Sequence, residues 1–203
     1  MGLGEPFFHY PKGKIMSMTE LSPPATEPLS LSEAKAHLRV DHSDDDSLIT
    51  EMIVQVRQHL EARLGLALIH RQVRERFDGL GRDPRMLSPS LQPLGAVSAL
   101  RYKDTSNAET IVGSDAYLVL TGLNGAVFAV SGSGLPAPQR LKGGIELDYT
   151  AGFGVEPEDV PAPLRQALLR LLAAAYEHRG DEKAPGLDVD VEMLIAPFRQ
   201  VRL

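Results

Sequence analysis

The densest cluster of groups able to do chemistry is Asp41-His42-Ser43-Asp44-Asp45-Asp46. Carboxylates flanking an imidazole raise the question of a divalent cation. A calcium loop of the helix–loop–helix kind needs alternating oxygen ligands, a glycine at its sixth position and a distal bidentate glutamate. Counted from Asp41, the sixth position is Asp46, so that geometry fails. The carboxylates instead suit the start of a helix, where the positive end of the dipole favours them. The histidines, His9, His37, His42, His59, His70 and His178, make no H-E-x-x-H pair and read as surface or packing residues. Gly132-Ser133-Gly134 lacks the rest of a nucleophile elbow and reads as a flexible turn. Gly152-Phe153-Gly154-Val155-Glu156-Pro157 lacks the Lys-Ser/Thr ending of a phosphate loop and runs on into acid. Arg179-Gly180-Asp181 spells an adhesion tripeptide, read here as coincidence at a helix end. Glu146 and Asp148 share one face of a strand, but acid–base work needs one of them desolvated in a cleft. Their alternation with Ile145, Leu147 and Tyr149 predicts a solvated or interface face. No catalytic, cofactor-binding or metal-binding residue is assigned.

The C-terminal end carries a different signal. Ile195, Pro197, Phe198, Arg199, Val201, Arg202 and Leu203 place apolar groups beside a proline at a chain end, with arginines between them. Few chain neighbours exist there to bury Ile195, Phe198, Val201 and Leu203, and exposed apolar groups at a terminus mark a partner. Docking back onto the same domain is the other possibility, and both stay open.

These segments have to be held by a frame. Ser30 and Glu33 make the S-x-x-E pattern of a helix start, with a short helix from about Leu31 to Arg39. Leu48, Ile49, Met52, Ile53, Val56, Leu60 and Leu64 then recur at helical spacing, and Gly65 provides a stop. The apolar arc formed by Leu48, Met52, Ile53 and Val56 is wide, which marks these residues as candidates for a subunit interface. From Leu66 the period changes. Ile69, Val73 and Phe77 share one side of an extended segment, and 97–102, 116–120, 126–130 and 145–149 read as further strands. Glycine turns and the absence of intervening helices predict antiparallel pairing. Val160-Pro161-Ala162-Pro163 prepares a helix carrying Leu164, Leu168, Leu171, Leu172 and Ala175 and ending near His178. A last helix over about 188–195 is stopped by Pro197, with an extended tail beyond. Residues 1–29, rich in Pro, Gly and Ser, read as an arm without a core, ordered by lying on a neighbour; Met16 and Met18 are alternative starts. The expected division is therefore an arm (1–29), N-terminal helices (30–65), a β-rich insertion (66–150), a penultimate helix (151–180) and a C-terminal helix with tail (181–203).

Composition narrows the classes further. The 203 residues carry a formal charge of −6 and contain no cysteine and no tryptophan. Disulfides, thiolate metal sites and cysteine nucleophiles are thereby excluded. Net negative charge disfavours sequence-reading DNA binding. No stretch approaches the ~18 continuous apolar residues of a membrane span, and Met1 to Tyr10 lack the pattern of a signal peptide. The expectation is a soluble, cytosol-made α+β protein, a helical bundle with an antiparallel β-strand insertion.

Pro28-Leu29-Ser30-Leu31-Ser32-Glu33-Ala34-Lys35-Ala36-His37-Leu38-Arg39-Val40-Asp41 and Asp45-Asp46-Ser47-Leu48-Ile49 resemble the opening of phage head–tail connector (adaptor) proteins. Tyr149-Thr150-Ala151-Gly152-Phe153-Gly154, Val160-Pro161-Ala162-Pro163-Leu164-Arg165-Gln166-Ala167, Tyr176-Glu177-His178-Arg179 and Leu194-Ile195-Ala196-Pro197-Phe198-Arg199 are similar in the same order. Such proteins occur in tailed phages and in gene transfer agents. The resemblance implies a homo-oligomeric ring, usually of twelve copies, in the neck of a virion or phage-like particle assembled in the bacterial cytoplasm. It would join the portal protein to a stopper or tail-completion protein, its C-terminal segment gripping the portal. DNA would pass through the channel without sequence-specific binding, and no membrane, cofactor or catalysis is implied. An acidic channel wall agrees, because it repels phosphate. The rivals are a small hydrolase or ligand-binding enzyme using Asp and His residues near the helix–insert junction, and a helix-turn-helix DNA reader over 31–64. The acidic 41–46 link sits where such a reader needs neutral or basic residues.

Overall fold

The computed structural model describes residues 15–80, 83–130, 134–179 and 189–199. Four helices form the frame: α1 (Leu31–Leu38), α2 (Asp46–Leu64), α3 (Ala162–Glu177) and α4 (Val189–Ile195). Ser30 caps α1 by accepting from the Glu33 amide at 3.1 Å, as the sequence pattern predicts. The Glu33 carboxylate instead reaches across to Arg165 of α3, at 2.8 Å from each oxygen. Arg39 ends α1 in the left-handed region (φ 58°), and Gly65 ends α2 the same way (φ 69°), its amide donating to the Glu61 carbonyl at 2.8 Å. The 3.6-residue period of α2 buries Ile49, Met52, Ile53, Val56, Leu60 and Leu64 against Leu164, Leu168 and Leu172 of α3, with Val191 and Ile195 of α4 closing the same core.

Among the described residues eight strands make two antiparallel sheets. β1 (Ile15–Ser22), β2 (Arg71–Phe77), β8 (Ile145–Ala151), β4 (Leu94–Lys103) and β5 (Glu109–Ile111) stand side by side in that order. β3 (Met86–Leu87), β7 (Ala126–Ala129) and β6 (Tyr117–Leu120) form the smaller sheet. Val73 and Phe77 of β2, Ile145, Leu147 and Tyr149 of β8, and Leu87, Val127 and Tyr117 of the small sheet share a second core. Of the predicted strands, 97–102, 116–120, 126–130 and 145–149 all form, within a few residues of the expected limits. β1, β3 and β5 have no counterpart among the predicted strands.

The two cores meet at the passage from α2 to β2. Leu66, Leu68 and Ile69 enter the helical core, whereas Ala67 between them enters the sheet core. The Ala67 amide donates to the Gln92 carbonyl at 2.7 Å, and the Gln92 amide to Gly65 at 3.2 Å. Gly152, at φ 131°, ends β8 against the Ile69–His70 backbone; a Cβ there would lie 2.6 Å from the Ile69 carbonyl carbon. Only glycine lets the two segments approach so closely. The β-rich region is thus sewn to the frame at its root rather than appended to it.

Two expectations need correction. The described part of the arm docks on its own chain: β1 pairs with β2, in register from Ile15 opposite Phe77 to Ser22 opposite Gln72. Past α4 the chain does not extend at once, because Ala196–Phe198 make one 3-10 turn through Pro197.

Candidate assembly surfaces

The interface candidates on α2 are occupied inside the chain. Met52, Ile53 and Val56 are buried in the helical core, and Leu48 is half-buried against it. The wide apolar arc serves two intrachain neighbours at once, since α2 packs on both α1 and α3. These residues are therefore not a free subunit surface.

The C-terminal candidates divide. Ile195 is fully buried in the helical core, so the expectation that it lacks chain neighbours is overturned. Phe198 is half-buried, meeting Phe153 edge to face with ring centroids 6.3 Å apart. Arg199 pairs with Glu192 of α4, which also accepts from Arg63 of α2 at 2.6 Å. Pro197 is exposed. Val201, Arg202 and Leu203 lie outside the described residues. The base of the tail is thus pinned to the frame.

The largest departure concerns charge. Glu146 and Asp148 are buried, not solvated. On the face of the large sheet opposite the apolar core, Asp148 accepts from Arg74 Nε (2.6 Å) and Nη2 (2.7 Å) on β2 and from Arg101 Nη1 (2.7 Å) on β4. Glu146 accepts from Arg76 Nε at 2.7 Å and Lys103 Nζ at 2.9 Å. Each carboxylate of the central strand is thus straddled by cations from both neighbours. Burial opposes ionisation of Glu146, but hydrogen bonds from Lys103 and Arg76 outweigh it and hold the group below its ordinary pKa. Asp148 is likewise opposed by burial and held low by Arg74 and Arg101. Carboxylates kept ionised and saturated with donors serve structure, not proton transfer.

A second network ties the arm down. Arg57 of α2 donates to both oxygens of Glu27 (2.6 and 3.0 Å) and to Glu61 (3.0 Å). Glu61 also accepts from Arg71 of β2 and, at 2.8 Å, from the Leu68 amide. Arg71 continues to Glu20 of β1 at 3.5 Å. Sequence reading missed these residues. The only available signal was charged residues standing at apolar positions of helix and strand.

The last two carboxylates of the acidic link are engaged within the chain. Asp46 opens α2 and pairs with Lys35 at 2.5 Å, while Asp45 accepts from Tyr176 of α3 at 2.6 Å. His37, His42, His59 and His178 are exposed and His70 is half-buried. Among the described residues no group of three His, Asp or Glu side chains is placed to hold a metal ion, and no helix is long and apolar enough to cross a membrane.

The buried ion pairs of the described residues join helices and strands of the same chain. Residues 28–116 match the family model described as phage gp6-like head-tail connector protein. The fold agrees over a greater length. A chain from the virion of a native gene transfer agent (GTA) particle is 28% identical, covers 93% of this chain and 97% of its own, and superimposes with a TM-score of 0.80. Chains from the neck of an empty GTA particle computed with C6 symmetry (27%, TM-score 0.79) and from the neck of a native GTA particle computed with C12 symmetry (27%, TM-score 0.73) show the same coverage. A search of curated proteins finds no match. The chain thus resembles the head–tail connector family in sequence over 28–116 and chains of GTA particles in fold over nearly its whole length.

Proposed function

We propose that this chain is the subunit of a connector ring in the neck of a GTA-like or phage-like particle, with no catalytic role. The observation that carries the reading is the likeness to GTA particle chains across 93% of this sequence at a TM-score of 0.80. The twelvefold symmetry of one of those necks supports a closed ring of about twelve copies. In this reading one side of the ring meets a portal protein and the other a stopper or tail-completion protein. DNA crosses the channel without being read, in keeping with the net charge of −6. The tail beyond Arg199 is the portal-gripping segment, since its base is fixed to the frame and points of attachment repeated around a ring reinforce one another.

The hydrolase reading has no support in the geometry, because Asp45 and Asp46 are engaged by Tyr176 and Lys35. A DNA reader over α1 and α2 fares no better: α2 opens on Asp45 and Asp46, where a reader needs neutral or basic groups near phosphate. Electron microscopy of particle necks, with mass measurement of the chain alone and mixed with portal, tests the proposal. Rings that bind portal are expected; a chain that stays monomeric with portal present overturns it.

A further inference from the structure

The two sheets treat their outward faces differently. The outer face of the large sheet is polar and saturated by its own ion pairs at Glu146 and Asp148. The small sheet is apolar on both faces. Tyr117, Leu87 and Val127 point into the sheet core, with Val119 and Ala129 packed against it. The alternate residues point the other way, and the register aligns Met86, Phe128 and Leu118 in one row across all three strands. Leu118 is 61% exposed and Leu120 57%, with Val130, two residues beyond Phe128, also at 57%. An antiparallel sheet with one solvated face alternates apolar with polar residues. Leu118-Val119-Leu120 and Ala126-Val127-Phe128-Ala129-Val130 do not alternate, so these strands are composed for cover on both faces. The chain covers one face, and on the other it buries Ala126 and half-buries Met86 and Phe128 while leaving Leu118, Leu120 and Val130 exposed.

We infer that the Met86–Phe128–Leu118 face is the lateral contact of the ring, covered by the adjacent copy of this chain. The inference rests on the ring reading proposed above. A closed ring requires every subunit to offer a surface to the next copy, and the fully buried centre of such a surface is its most apolar part. The α2 arc that sequence favoured for that purpose is consumed internally. Cyclic symmetry also makes the contact heterologous: the face meets a different surface of the next copy, not the same face. Leu118 of one copy therefore does not lie against Leu118 of its neighbour.

The sequence contains no cysteine, so Leu118→Cys carries a single photo-crosslinker without further changes. In assembled necks, irradiation should give a product of twice the chain mass whose second peptide comes from this same sequence, away from residue 118. Without the crosslinker, the same variant should not form a disulfide dimer through its introduced thiol. Leu118→Ser with Leu120→Ser should leave thermal unfolding of the chain unchanged, because both side chains are exposed, yet raise the concentration for half-assembly about tenfold or more. Intact rings whose crosslinks go only to another neck protein, or to no protein, overturn the inference while sparing the ring. The double variant assembling as the natural chain does overturns it equally. No ring from the unaltered chain overturns the ring reading and this contact with it.

Discussion

Arg57, in the middle of α2, holds Glu27 of the arm through two hydrogen bonds at 2.6 and 3.0 Å. The guanidinium is buried and also pairs with Glu61 one helical turn on. Burial opposes its charge, while the bonds it donates to Glu27 and the nearness of both carboxylates raise its pKa above the ordinary value. Glu27 thus both neutralises a buried cation and fixes where the arm leaves the frame.

Glu27→Ala should therefore destabilise the chain by about 1–3 kcal/mol, the range for losing hydrogen bonds to a buried charged group. It should also expose the Pro23–Pro28 linker to proteases. Urea titration and limited proteolysis check both. An arm that stays protected in the variant would show that β1 pairing alone holds it.

The ion pairs of the large sheet set an acid limit. The folded pKa values of Glu146 and Asp148 are depressed, so between the folded and unfolded values the unfolded chain binds more protons. Their contribution is complete above the ordinary carboxylate range and lost as pH falls through the folded values. Melting temperature should begin to drop below about pH 5, near the upper edge of that range. In Glu146→Gln/Asp148→Asn the melting temperature should be lower at neutral pH and the acid-induced drop shallower. Parallel melting curves for the two proteins across pH would refute this assignment.

Gln92 is a buried side chain whose amide is fully used. Its Nε2 donates to the Pro89 and Gly125 carbonyls (3.0 and 3.1 Å), and its Oε1 accepts from the Leu94 and Gly125 amides (3.0 and 3.1 Å). It pins the start of β4 to the turn before β7. Gln92→Leu takes the donor from the Pro89 and Gly125 carbonyls, while the Leu94 and Gly125 amides keep the Gly122 carbonyl; it should cost about 2 kcal/mol, read as a lower urea midpoint with an unchanged slope.

What the sequence disclosed follows from what is local. The α2 period, Gly65 and the Ser30 cap are encoded within a few residues, and the structure has them in place. Alternation likewise exposed β8. β1 was hidden because alternation between Ile15 and Ser22 lasts only from Met16 to Thr19, and its register is fixed only by β2, far along the chain. β3 has two residues and β5 three, too few to carry a period. Glu146 and Asp148 read as solvated because alternation reports a polar face, not whether cations on flanking strands will close over it. Ile195 read as a loose end because its burial depends on α4 returning to α2 and α3, which no local pattern states.

That burial decides how the tail must be tested. Removing 195–203 deletes Ile195 from the helical core, Phe198 from Phe153 and Arg199 from Glu192 together. Losing the buried Ile195 alone costs about 2–5 kcal/mol, so failure of that truncation to bind portal would report unfolding. Removing only 200–203 leaves all three contacts intact. The shorter truncation should melt within about 2 °C of the full chain, since no described contact is lost. If the tail beyond Arg199 grips the portal, the same protein should form rings but bind portal at least about tenfold more weakly, because each small loss recurs around the ring. Particles assembled with it would be full heads without tails, or heads that leak DNA. Unchanged portal affinity for the 200–203 truncation would return the portal contact to the frame, with exposed Pro197 and Arg199 the next residues to replace.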